Sequence, residues 1–104
     1  MKEITPAELR DLLAGGEPPL LVDIREPFET QIAQIEGSLF IPMGSLPQRL
    51  QEIPKDRPVA LYCHSGVRSA YAAEWLSRQG YDALSLAGGI DRWAVDVEPA
   101  MRRY

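Results

Sequence analysis

With 104 residues, 45% of them hydrophobic and 25% charged, the chain is long enough for one compact core and too short for two ordinary domains, so residues 1–104 read as one domain. A formal net charge of −4 argues against a broad phosphate-contacting face, and hence against nucleic acid as a partner. No apolar run approaches a membrane span, Met1 to Pro6 lacks the apolar core of a signal peptide, and one cysteine with one histidine supplies neither an internal disulfide nor a four-ligand zinc site; a cytoplasmic, reducing setting without metal or cofactor is expected.

Thr5-Pro6-Ala7-Glu8 has the pattern of a capping box with Pro6 at the first helical position, and Ile4 and Leu9 are spaced as a hydrophobic staple. This predicts a helix from Pro6 to about Ala14, ended by Gly15-Gly16. Pro19 to Arg25 reads as a buried strand with Asp23 and Arg25 near its exit edge. Phe28 to Gln34 is weakly helical, Leu39 to Ile41 is a short strand closed by Pro42, and Ser45 to Glu52 is expected as a short helix. From the turn cluster Pro54 to Pro58, the apolar run Val59 to Tyr62 enters Cys63 as a strand. Arg68 to Gln79 is amphipathic, offers Ala72, Ala73, Trp75 and Leu76 for packing, and stops at Gly80. Ala83 to Leu86 is a further strand, and Gly88-Gly89 opens a last helical segment through Trp93. Strands alternating with helical patterns imply an α/β fold, a central parallel sheet of about five strands with helices on both faces. In such sheets ligands gather beyond the carboxyl ends of the strands, the edge where Cys63, Asp23, Arg25 and the turn from Leu86 to Gly89 should arrive.

The chemistry concentrates in Cys63-His64-Ser65-Gly66-Val67-Arg68-Ser69. The only cysteine stands where a strand ends and a helix begins, and four residues separate it from Arg68. If Gly66 permits a tight curl, several backbone N–H groups converge above the sulfur and cradle an anion. The positive end of the following helix favours the thiolate.

Two blocks of sequence carry a family resemblance over nearly the whole length. Asp23-Ile24-Arg25-Glu26-Pro27, continuing to Ile35-Glu36-Gly37-Ser38-Leu39-Phe40-Ile41-Pro42, is similar to the D-x-R-x-P and I-x-G-A-x-x-I-P stretches of the rhodanese domain, a sulfurtransferase module. The Cys63 to Ser69 loop and Gly88-Gly89-Ile90-Asp91-Arg92-Trp93, similar to G-G-x-x-x-W, complete it. Gln34 stands where many members have histidine, Ala33 where they have glycine and Ser38 where they have alanine. The ending Val97 to Tyr104 looks like the rhodanese domain often fused behind the adenylyltransferase that activates sulfur-carrier proteins. The resemblance implies a rhodanese-like fold and a two-step exchange: Cys63 takes the outer sulfur of a small anionic donor such as thiosulfate as a persulfide, then passes it to cyanide, a thiol or a sulfur-carrier pathway. Possible partners are therefore a sulfur-carrier protein or its adenylyltransferase.

Each residue also has a plainer reading. Cys63 could be a small buried hydrophobe, and Arg68 a helix-start residue paired with an acidic neighbour. Arg68 is otherwise expected to meet the donor's oxygens or to orient the loop. His64 is expected either in a supporting role or as an exposed loop residue. Asp23 and Arg25 should buttress the loop, Trp75 and Trp93 should be core, and Glu98 to Tyr104 a packed segment. Competing functions are a C-x5-R phosphatase or arsenate reductase, for which this loop is one residue short, and a catalytically silent binding module.

Overall fold

Local hydrogen bonding starts the chain as the sequence predicts. The Thr5 hydroxyl accepts from the Glu8 N–H at 3.1 Å, and the Glu8 carboxylate accepts from the Thr5 N–H at 2.9 Å. Such a cap is worth about 1 kcal/mol to the helix it opens. Ile4 and Leu9 close the staple from either side, both buried.

The computed structural model describes residues 2–104. In chain order its elements are β1 (Lys2–Ile4), α1 (Pro6–Ala14), β2 (Leu20–Asp23), α2 (Pro27–Thr30), β3 (Leu39–Phe40), β4 (Val59–Tyr62), α3 (Val67–Arg78), β5 (Ala83–Leu86) and α4 (Gly89–Asp96). The strands form one parallel sheet in the order β1-β5-β4-β2-β3. Strand alternation splits the core into two layers. Val22, Val59, Leu61, Cys63 and Ala83 pack with Ala72, Ala73 and Leu76 of α3 on one face. Leu21, Ala60, Tyr62, Leu84 and Leu86 pack with Leu9 of α1 and with Ile90 and Trp93 of α4 on the other. Trp93 is thus core, whereas Trp75 is only partly buried, against the opposite layer.

Several sequence expectations need correction. The strand ending at Tyr62 and the α1 boundaries agree with the reading, but β1 has no counterpart in it: three residues at a sheet edge, paired with β5 across the whole chain, carry too little local signal. The segment Ser45 to Glu52 is not one helix but two 3₁₀ pieces, Met43–Ser45 and Pro47–Glu52, with Arg49 at a non-helical φ of −118°. Pro47 lacks the N–H that would continue an α-helix from the preceding turn. The helix expected over Phe28 to Gln34 shrinks to the single turn of α2, and the last helix runs past Trp93 to Asp96.

The chain leaves β2 toward β3 on one side and resumes with β4 and β5 on the other. That reversal falls between β2 and β4, and the carboxyl ends of strands at such a point are the usual ligand position in an open parallel sheet.

Candidate active site

Cys63 follows β4 directly and is 1% exposed. Its sulfur accepts the N–H of Gly66 at 3.1 Å and that of Ser69 at 3.3 Å. Gly66 is the N-cap of α3 and has no side chain with which to cap it. The Cys63 sulfur takes that place, meeting the third amide of the helix as a serine or aspartate oxygen ordinarily would. The first two amides, of Val67 and Arg68, have no carbonyl partner within the helix. Gly66 adopts φ +99°, and a Cβ there would stand 3.0 Å from the Gly88 nitrogen and 3.3 Å from the Leu86 oxygen. The curl expected of this loop thus needs glycine for its backbone angle and for space. Ser69 is buried and its hydroxyl pairs with Ser85 at 2.8 Å, tying α3 to β5.

A second helix end fixes the other side of the loop. The Cys63 carbonyl accepts from the Ile90 N–H at 2.9 Å, and the His64 carbonyl accepts from the Asp91 N–H at 3.1 Å. These are orphan amides at the start of α4. Gly89 lets the two backbones meet: a Cβ there would overlap the His64 carbonyl and lie 2.6 Å from that of Cys63. With its carbonyls drawn toward α4, the loop is left with its amides for the sulfur.

A chain of paired side chains runs beside the loop. Arg68 reaches Glu29 with both terminal nitrogens, at 2.9 and 3.0 Å. Glu29 also accepts the Tyr104 hydroxyl at 2.7 Å and the Glu26 N–H at 2.9 Å. Burial alone would push the Glu29 carboxyl up, but the bonds from Arg68, then those from the Glu26 backbone and Tyr104, outweigh it and hold it at about 2. Tyr104 accepts from Arg25 at 2.9 Å, and Arg25 grips Asp23 at 2.8 and 2.6 Å. Asp23 and Arg25 are both fully buried. The Tyr62 hydroxyl donates to Asp23 at 3.0 Å and meets Ser38 at 2.7 Å. Arg25 further donates to the Ala33 carbonyl at 2.8 Å. The side chain of Ser38, one of the departures from the family pattern, therefore has a partner of its own.

The structure gathers Cys63, Gly66 and Ser69 around one point, and leaves Ser65 and Val67 exposed on the rim. Val67 is the first residue of α3 rather than part of the loop. Arg68 pairs its guanidinium with the buried carboxylate of Glu29. His64 is half-buried because its ring stacks on Tyr104, centroids 4.0 Å apart and planes 12° from parallel. Asp23 and Arg25 act on the loop at a distance, through Tyr104 and Glu29. Sequence reasoning missed Glu29 as a site residue, although Glu26-Pro27-Phe28-Glu29 has the form of a capping box that could have flagged it. An open groove of about 520 Å³ borders Ser65, Gly66 and Val67 and continues along Ala70, Tyr71 and Glu74. Among the described residues no group of three or more His, Cys, Asp or Glu is placed to hold a metal ion, and no helix is long and apolar enough to cross a membrane.

The chain as a whole is similar to known proteins. A sulfurtransferase of Allochromatium vinosum is 47% identical over 95 residues, covering 90% of this chain and 89% of that protein. The probable adenylyltransferase/sulfurtransferase MoeZ of Mycobacterium tuberculosis is 42% identical over 104 residues, covering 97% of this chain and 26% of MoeZ, so the chain spans about a quarter of that relative's length. The crystal structure of a rhodanese-like domain protein from Staphylococcus aureus superposes with a TM-score of 0.85 at 36% identity, over 89% of this chain and 91% of that one. The family model for the rhodanese-like domain matches residues 5–96, which takes in both the Cys63 loop and the paired glycines that seat it, and the chain belongs to that family.

Proposed function

We propose that the chain is a sulfurtransferase that carries sulfur as a persulfide on Cys63, within one rhodanese-like domain over residues 1–104. The observation that carries this reading is the sulfur of Cys63 accepting two backbone amides at the carboxyl edge of the sheet. Family membership and the sulfurtransferase of Allochromatium vinosum support it. In the first step the Cys63 thiolate attacks the outer sulfur of a donor such as thiosulfate. The new S–S bond forms as the donor's own S–S bond breaks, and sulfite leaves with the electron pair. In the second step cyanide in an assay, or a thiol, attacks the outer sulfur and returns Cys63 as thiolate. Amides and helix ends fixed before reaction stabilise the anionic sulfur of both states without reorganising.

Arg68, held by Glu29 through both of its terminal nitrogens, serves here to orient the loop. The likeness to MoeZ points to a sulfur-carrier pathway, with a carrier protein or its adenylyltransferase as partner, in a reducing cytoplasmic setting. Intact-mass measurement tests the reading. Thiosulfate or a small organic persulfide should add the mass of one sulfur atom to the wild-type protein and none to Cys63→Ser, and cyanide or dithiothreitol should remove it. No mass gain from either donor would leave a binding module without sulfur chemistry as the better account.

A further inference from the structure

We propose that Tyr104 is a positioning residue for the Cys63 loop, a clasp that holds both ends of the loop at once; its effect on turnover rests on the sulfur-transfer reading above. It lies 41 positions from Cys63 in sequence and belongs to none of the motifs that mark the site. Its ring stacks on His64, the residue after the cysteine. Its hydroxyl donates to Glu29 at 2.7 Å and accepts from Arg25 at 2.9 Å. A phenol has one proton, and Arg25 can only donate, so this arrangement fixes the direction of both bonds. Glu29 in turn fixes Arg68, which immediately precedes the Ser69 amide on the sulfur. The ring therefore sets the start of the loop and the hydroxyl sets its end.

Packing alone does not account for this placement. Tyr104 is 36% exposed, more open than an aromatic anchored for buried area. The segment that delivers it is pinned at separate points: Trp93 donates to Glu98 at 2.9 Å, Met101 packs on the core layer of α4, and Arg103 grips Asp91 at 2.9 and 3.1 Å. Asp91 is the residue whose N–H holds the His64 carbonyl. Backbone and side chain thus bring this segment to the same loop from two directions. If His64 and Arg68 are freed, the amides of Gly66 and Ser69 lose their fixed aim at the sulfur.

Because Cys63 is the only cysteine, its alkylation by iodoacetamide reads loop opening without any assumption about sulfur chemistry. In Tyr104→Ala the alkylation rate at neutral pH should rise at least five-fold or so. Sulfur uptake at saturating donor should fall about ten-fold, with KM changed less than about two-fold, as for a misaligned rather than an unbound substrate. Tyr104→Phe keeps the stack and loses the hydroxyl, so it should lie between wild type and Tyr104→Ala on both readouts. Wild-type alkylation and turnover in Tyr104→Ala would overturn the proposal, as would changes that only track the shift in urea unfolding midpoint. Should Tyr104→Ala fail to fold, Tyr104→Phe decides: faster alkylation supports the clasp and an unchanged rate overturns it. If the wild-type protein takes up no sulfur, the sulfur-transfer reading falls, while alkylation still decides the clasp.

Discussion

Exchanging Glu29 for glutamine removes a charge at the centre of the network while keeping its size. The side chain is 5% exposed and its two oxygens accept from Arg68 twice, from Tyr104 and from the Glu26 backbone. Its carboxyl is held at about 2, against an ordinary value of 4.5. That difference corresponds to roughly 3 kcal/mol of folding free energy. Arg68, with 37% of its side chain exposed, keeps part of its hydration, so a net loss of about 2 kcal/mol is expected for Glu29→Gln at pH 6. For a chain of this size that is a fall of about 10 °C in Tm. A lowered carboxyl contributes stability that is complete above its unfolded value and disappears as pH falls toward its folded one. The gap between wild type and Glu29→Gln should therefore be full at pH 6, begin to narrow below about 4.5 and be nearly closed as pH approaches 2. Urea unfolding at pH 6, 4.5 and 3 measures it. Equal midpoints at pH 6, or a gap that does not shrink by pH 3, would refute the reasoning, since the first would deny the pairing and the second its electrostatic origin.

Arg25→Met should cost about 3–5 kcal/mol in urea unfolding, because it strands the fully buried Asp23 carboxylate with Tyr62 as its remaining side-chain partner; a loss below about 1 kcal/mol would show that Tyr62 and the backbone suffice to hold that charge. Gly89→Ala should destabilise by about 2 kcal/mol or more and disturb the Cys63 loop, since φ is +63° and the new methyl meets the His64 carbonyl. Gly16→Ala, with nothing within 4 Å of the added carbon, serves as its control, and equal melting temperatures for the two would contradict the close approach.

What the sequence made legible follows the range of the forces involved. The Thr5–Glu8 box acts over three residues, and its pattern named the start of α1 at Pro6. Val59 to Tyr62 is wholly apolar up to its tyrosine, fully buried and bounded by a turn cluster, so β4 was visible too. The carboxylate under Arg68 was not, because Glu29 lies 39 positions away and only the fold brings β2's exit beside the start of α3. Tyr104 was visible as an aromatic residue but without a destination, for its partners come from two distant stretches of chain, Arg25 to Glu29 and His64. Pro47 and the kink at Arg49 divided a segment whose composition alone reads as helix. Short β1 depended on a strand at the far end of the chain.

Counting charges along the network explains why the backbone carries the site. Asp23 and Glu29 are matched by Arg25 and Arg68, each paired at 3.0 Å or less. The row beside the loop is therefore close to neutral, and only the Arg68 charge acts on the sulfur from it. On the sulfur-transfer reading, negative charge on Cys63 is met chiefly by peptide dipoles, and these are arranged in opposition. The start of α3 directs amides at the sulfur, while the start of α4 directs amides at the carbonyls of the same loop. Pulling the carbonyls one way leaves the loop's N–H groups facing the other, so one helix end orients what the other helix end polarises. The buried ion pairs then act as a frame: they contribute little net field, but leaving either member of a pair alone is costly, and this makes the loop's position insensitive to anything short of breaking a pair. On this account Gly89 and Glu29, neither of which touches the sulfur, govern it as firmly as Gly66 does.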